Sequence, residues 1–168
     1  RLSLVGSEMC IRDRFLGAVE NFFTKCAPAV FMGWSNLNFD RRMFHFNFFK
    51  GNRYPYATHS SPNSEHDGLH IARAAQTLNS ETLKTELTEA GNPSLALESL
   101  SRMQGFDTSA SHTAYVDAQN SLKVLRIIKD KHKENWDTFL KTSTKTSVET
   151  FLKNEGIYSI FENVKGRN

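Results

Sequence analysis

Cysteine is almost missing from this chain: two occur in 168 residues, Cys10 and Cys26. Cys10 lies in a stretch set aside below, so Cys26 stands alone. That excludes a disulfide framework and a cysteine metal cluster, and it fits a reducing, cytoplasmic setting. An excess of charge of one sign is missing too. The chain has 21 Lys+Arg against 18 Asp+Glu, a formal net charge of +3, which allows a nucleic-acid partner without pointing to one. No apolar run approaches the ~20 residues needed to cross a bilayer, so no membrane partner is expected. Internal repeats and low-complexity tracts are also lacking. What is present is 39% hydrophobic residues, 13 of them Phe, enough to bury a core and to exclude a disordered chain. The length suits one domain with room for the beginning of another.

The sequence opens at Arg1 without an initiator Met. The run Leu4-Val5-Gly6-Ser7-Glu8-Met9-Cys10-Ile11-Arg12-Asp13-Arg14 shows neither helical nor strand periodicity. It resembles the conceptual translation of a transposase adapter used in sequencing libraries, and such segments are kept out of fold reasoning. Residues 1–14 are therefore expected to be non-native, native sequence to begin near Phe15, and both ends to be cut from a longer protein. Setting 1–14 aside removes three Arg against Glu8 and Asp13 and leaves a net charge of +2.

From Phe15 to Lys25 the spacing of Phe15, Val19, Phe22 and Phe23 predicts an amphipathic helix. Ala29-Val30-Phe31-Met32-Gly33-Trp34 is a short apolar run bounded by Pro28 and Ser35-Asn36, the pattern of a strand in a sheet covered on both faces. Asp40 to Lys50 predicts a helix, with Gly51 as its stop. Residues 51–66, rich in Gly, Pro, Ser, Asn and His, predict a surface loop. Leu69, Ile71, Ala72, Ala75 and Leu78 make the next helix. Ser94 is the expected cap of a helix through Leu97, Leu100 and Met103, ended by Gly105. A long helix is expected over about Thr113–His132, two short ones around Trp136–Leu140 and Val148–Leu152, and a strand from Ile157 to Val164. A strand followed by several helices implies an α/β architecture.

Two segments carry candidate chemistry. In Ser111-His112-Thr113-Ala114-Tyr115-Val116-Asp117-Ala118, His112 and Asp117 would stand roughly 140° apart on one helix. They approach each other better if Thr113 caps the helix, His112 sits in the loop before it and Asp117 projects from the second turn toward the sheet. A base beside a metal-binding carboxylate suits hydrolysis. In Gly33-Trp34-Ser35-Asn36-Leu37-Asn38-Phe39-Asp40, the strand and polar loop place Asp40 at the carboxyl end of a strand, where open α/β sheets bind ligands. An Asp that opens a helix is also an ordinary cap. Phe44, Phe46, Phe48 and Phe49 could stack on bases, but their spacing places them in the core. Lys123, Arg126, Lys129, Lys131 and Lys133 read as a solvated helix face rather than a phosphate track. His45, His59, His66 and His70 have no metal-ligand spacing and read as incidental.

In order and spacing these segments resemble the exonuclease superfamily named for its four metal-binding acids, in its histidine-containing (DEDDh) branch and its exodeoxyribonuclease I-like group. The resemblance rests on five motifs. They are Gly33 to Asp40, Tyr54-Pro55-Tyr56, Glu65-His66-Asp67-Gly68-Leu69, Pro93-Ser94-Leu95-Ala96-Leu97-Glu98-Ser99-Leu100, and His112-Thr113-Ala114-Tyr115-Val116-Asp117-Ala118. It is strong over 15–132, which it implies is a partial exonuclease domain with an incomplete ribonuclease H-like α/β fold whose first strands are missing. Residues 133–168 would be a helical linker and the start of an SH3-like second domain.

The resemblance implies a metal-dependent 3′→5′ exonuclease of single-stranded DNA, bacterial, cytoplasmic and monomeric. Asp40 and Asp117 would bind two Mg²⁺ or Mn²⁺ ions and His112 would be the general base. Asn36, Phe39 and Arg41 would contact nucleic acid, and a single-stranded-DNA-binding protein would be a further partner. The family's Asp-x-Glu strand, which supplies the other two acids, is not found before Phe15. Many relatives carry Asp where this chain has Thr113. Two alternatives remain open: a non-catalytic nucleic-acid-binding module of the same fold, and an RNA-trimming or proofreading relative.

Overall fold

The computed structural model describes residues 2–109, 113–141 and 143–154, with side chains from Met9 onward. The chain divides into two units, Arg1–Met32 with Asn36–His66 and Gly33–Ser35 with Asp67–Asn168.

The first unit is organised by aromatic packing. Helix α1 spans Leu2–Cys26, and its buried stripe is Leu16 and Phe23 with Val19 partly covered. Phe15 and Phe22, expected on that stripe, are exposed. At 100° per residue Leu16, Val19 and Phe23 share a face that Phe15 and Phe22 flank. Phe23 is the hub: its ring meets Phe31 at 4.9 Å, Phe44 at 5.6 Å and Phe48 at 6.2 Å between centroids. Leu4 to Arg14, which lacks a periodic pattern, is nonetheless helical. A helix already nucleated by a packed stripe extends at one hydrogen bond per residue, and Arg53 Nη2 donates to the Asp13 carbonyl at 3.2 Å.

Strand β1 is Val30–Gly33 and helix α2 is Asp40–Lys50, both where the sequence predicts them. β1 is half-buried along its whole length rather than fully covered. On α2 only Phe48 is buried. Phe46 and Phe49 point to solvent and Phe44 is partly exposed, so the expected four-Phe core contribution reduces mainly to one residue. Gly51 closes α2 at φ −85, and the left-handed turn falls instead on Asn52 at φ 52. Asn52 N donates to Phe49 O and Arg53 N to Phe48 O, the paired bonds of a Schellman stop. Gly51 serves close approach: a Cβ there would lie 2.8 Å from Leu16 Cδ1.

Within the expected 51–66 loop there is a second strand, β2, Ser64–Asp67, which pairs in parallel with β1. All four of its residues are buried although all four are polar. A strand without an apolar residue gives no period-two signal, which is why the sequence hides it.

The second unit is helical. Helices α3 (Gly68–Leu78), α4 (Leu97–Met103) and α5 (Ala114–Lys131) pack with α5 against both others. They bury Ile71, Ala72, Ala75, Leu83, Leu100, Val124 and Ile128. The cap of α4 is Ala96, not Ser94; Ser94 N is taken by Glu86 O across a short bridge of Leu87 and Pro93. Gly105, at φ 77, ends α4 as expected, with Phe106 N donating to Ser101 O and Gly105 N to Arg102 O. α6 (Lys133–Lys141) and α7 (Lys145–Asn154) follow. Lys123, Arg126, Lys129, Lys131 and Lys133 are all exposed, the solvated face the spacing predicts. The expected strand at 157–164, and with it the start of an SH3-like domain, lies outside the described residues.

Candidate functional site

The loop that leaves β1 is gripped at its start. Ser35 adopts φ 58, a conformation rare outside glycine, and its N–H donates to Asp67 Oδ1 at 2.8 Å. The same oxygen accepts from Leu69 N at 3.0 Å, so Asp67, fully buried, caps α3 and pins the loop together. The Glu65 to Leu69 motif thus contains the start of α3. Trp34 is tethered through Nε1 to Leu95 O at 3.2 Å. Around it Trp34, Ser35, Leu69, Arg73, Pro93 and Leu95 line a cleft of ≈ 350 Å³. Neither Asp40 nor Asp117 is among its walls.

Asp40 is the first residue of α2 and is exposed. The cap position belongs to Phe39, and no side-chain cap bond is made. Asp40 is therefore not the ordinary capping Asp, and its carboxylate faces solvent. The turn is closed by the backbone, with Arg41 N donating to Asn36 O at 3.0 Å and Met43 N to Phe39 O at 3.1 Å. Phe39 is 68% exposed. Arg41 turns inward: its Nε donates to Glu65 Oε2 at 2.6 Å.

That contact opens onto a polar cluster the sequence did not announce. Glu65, on β2, has a side chain only 5% exposed. Its Oε1 accepts a hydrogen bond from Thr58 Oγ1, and His59 Nδ1 lies 3.8 Å from the same oxygen. His59 packs on His45 at 5.0 Å between rings, and Tyr56 meets both. Burial, and then the neighbouring His59, hold the His45 pKa below its usual value; Glu65 opposes this and Arg41 adds to it. Of the histidines expected to be incidental, His45 and His59 are thus packed parts of the unit and His66 is buried in β2. Only the positions of opposite charge, Arg41 and Glu65, could have hinted at the pair, and nothing in their spacing links them.

Asp117 lies in the first turn of α5 and is half-buried. Thr113 does occupy the cap position but makes no side-chain cap bond; Asp117 N donates to Thr113 O at 3.0 Å, and Ser121 Oγ to Asp117 O at 2.7 Å. His112 lies outside the described residues. Asp40 falls in the first unit and Asp117 in the second. Asn36 is half-buried. Carboxylate oxygens suit a hard divalent cation. Among the described residues no group of three or more His, Cys, Asp or Glu is placed to hold a metal ion. No described helix is long and apolar enough to cross a membrane.

No protein-family profile matches the chain. It is 26% identical over 122 residues to exodeoxyribonuclease I of Haemophilus influenzae, covering 72% of this chain and 26% of the relative. To exodeoxyribonuclease I of Escherichia coli K12 it is 27% identical over 128 residues, covering 73% and 26%. The chain thus spans about a quarter of the length of the curated relatives it matches. In fold it matches E. coli exonuclease I in complex with a dA16 oligonucleotide at a TM-score of 0.76, with 22% identity, over 83% of this chain and 30% of that one. An ExoI/SSB-Ct complex matches at 0.73, with 21% identity and the same coverage. In sequence and in fold, then, this chain is similar to a part of exodeoxyribonuclease I.

Proposed function

We propose that this chain is part of a metal-dependent 3′→5′ exonuclease that hydrolyses single-stranded DNA to nucleotides. The observation that carries the proposal is the sequence similarity to exodeoxyribonuclease I over more than 70% of the chain. The matched fold accompanies a dA16 oligonucleotide in one exonuclease I structure and an SSB-Ct peptide in another. We extend both partners, single-stranded DNA and the single-stranded-DNA-binding protein, to this chain.

In this proposal Asp40 and Asp117 are ligands and His112 is the general base. Asp40 supports its role by position: it follows a strand, opens a helix and keeps its carboxylate in solvent without a cap bond. The group implied is a pair of divalent ions, Mg²⁺ or Mn²⁺, which when bound lower the pKa of a water and stabilise the leaving oxygen. His112 takes the proton of the attacking water, a role that suits histidine because the ordinary pKa of an imidazole lies near neutrality. The new bond joins water oxygen to phosphorus. The bond that breaks releases the 3′ oxygen of the penultimate nucleotide, leaving a mononucleotide with its phosphate.

The test is substitution in the complete reading frame that encodes this chain. Asp117→Asn is expected to abolish divalent-dependent release of nucleotides from single-stranded DNA, with the unfolding temperature near that of the parent. His112→Ala is expected to cost about 10²–10⁴-fold in turnover with metal affinity kept. Full activity in Asp117→Asn would overturn the proposal. DNA binding without cleavage in the parent would favour the non-catalytic module, and faster RNA trimming would favour the RNA-acting relative. The 168-residue chain alone is expected to be inactive, because no Asp-x-Glu pair accompanies Asp40 and Asp117.

A further inference from the structure

We propose that Glu65 and Arg41 are positioning residues that set the direction of the Asp40 carboxylate; this rests on the proposal that Asp40 binds metal. The starting point is cost. Taking a carboxylate and a guanidinium out of water is expensive, and a well-packed apolar pair at the same place is often no less stable. Yet Glu65 sits on β2 with its side chain 5% exposed, among strand residues that are all buried and all polar. A fold built for stability alone would place Val or Ile there.

The geometry shows what the pair does instead. Arg41 Nε and Glu65 Oε2 are 2.6 Å apart, a charge-assisted bond of fixed direction. Thr58 Oγ1 donates to Glu65 Oε1, so the acceptor itself is held from a second side. Glu65 belongs to a strand and Arg41 to the first turn of α2, so the bond ties the helix start to the sheet. Arg41 directly follows Asp40, and neighbouring side chains on a helix diverge by about 100°. With Arg41 held inward on Glu65, Asp40 is turned outward to solvent, as observed. The backbone contact from Arg41 N to Asn36 O closes the same turn. Phe39, the cap residue, offers no side-chain bond, and so cannot fix the turn. Arg41 is thereby assigned to the support of Asp40, rather than to a nucleic-acid contact.

Partners behind metal ligands change metal affinity or activity about 10- to 100-fold when removed. Glu65→Gln keeps the size of the side chain and an acceptor for Thr58 while removing the charge. In the complete protein it is predicted to raise the Mg²⁺ concentration giving half-maximal cleavage by ~10-fold or more, with the KM for DNA unchanged. A role in packing alone would lower the unfolding temperature and leave the Mg²⁺ requirement where it was; that result overturns the inference. Should Glu65→Gln fail to fold, Arg41→Lys is the second variant, since it keeps a positive charge beside Glu65 but loses the Nε donor. It is predicted to raise the Mg²⁺ requirement too, and an unchanged requirement counts against the inference in the same way. Asp40→Asn separates the two levels. If it leaves divalent-dependent cleavage intact, the metal-ligand role of Asp40 fails. If it abolishes cleavage while both support variants behave as the parent, only the positioning role fails.

Discussion

Asp40, Glu65 and His45 show how differently single residues declare themselves. Asp40 was legible as the residue that opens α2, but its sequence position could not separate a cap from a ligand. The structure gives the cap to Phe39, which removes the capping reading. Glu65 was not legible at all, because a charged residue in a Ser-, Pro- and His-rich stretch reads as solvated, and its burial depends on Arg41, 24 positions away. His45 likewise read as incidental, while its ring is packed between His59 and Tyr56. Burial and the His59 neighbour lower its pKa in the folded chain, against the pull of Glu65. The unfolded chain therefore binds a proton to His45 more readily than the folded one, so folding stability rises with pH. Stability is predicted to be level above neutrality and to fall as pH drops through the ordinary histidine value of ~6.5. Unfolding temperatures at pH 8 to 5 test this, and His45→Phe, which keeps a ring, should flatten the fall. A steepness equal to that of the parent would contradict it.

At the scale of elements, the sequence was most informative where apolar periodicity and a chain stop agree. α2, α3 and α5 lie where spacing puts them, and Gly105 ends α4 for the physical reason expected, a left-handed residue at φ 77. Nothing lies within 4 Å of a Cβ built at Gly105, so Gly105→Ala isolates the backbone cost. It is predicted to destabilise by about 1–2 kcal/mol, read as a lower urea midpoint with unchanged slope; an unshifted midpoint would contradict the cap. Where pattern and packing diverge, the sequence misleads. Ser94 has the chemistry of a cap but is drawn into the bridge beside Glu86. The segment 51–66 has the composition of a loop, yet its last residues pair with β1 through backbone groups that every residue type carries. Phe15 and Phe22 match a helical spacing and still face solvent, because the neighbours that decide burial, Phe31 and Phe48, come from elsewhere in the chain.

For the molecule as a whole, the order of five short motifs was enough to indicate an exonuclease-like α/β chain, and the comparisons with exodeoxyribonuclease I agree. The α/β class was legible because one apolar strand followed by helices is a strong pattern. Metal ligands were legible only as candidates, since Asp40 and Asp117 gain meaning from residues distant in sequence, and the chain spans about a quarter of the relatives' length. The most direct measurement follows single-stranded DNA carrying distinguishable labels at its 3′ and 5′ ends, incubated with the complete protein, with and without Mg²⁺. The account predicts that the 3′ label is released first, as a mononucleotide, and only with the divalent ion present. Release of the 5′ label first, or cleavage that persists in a chelator, would contradict it.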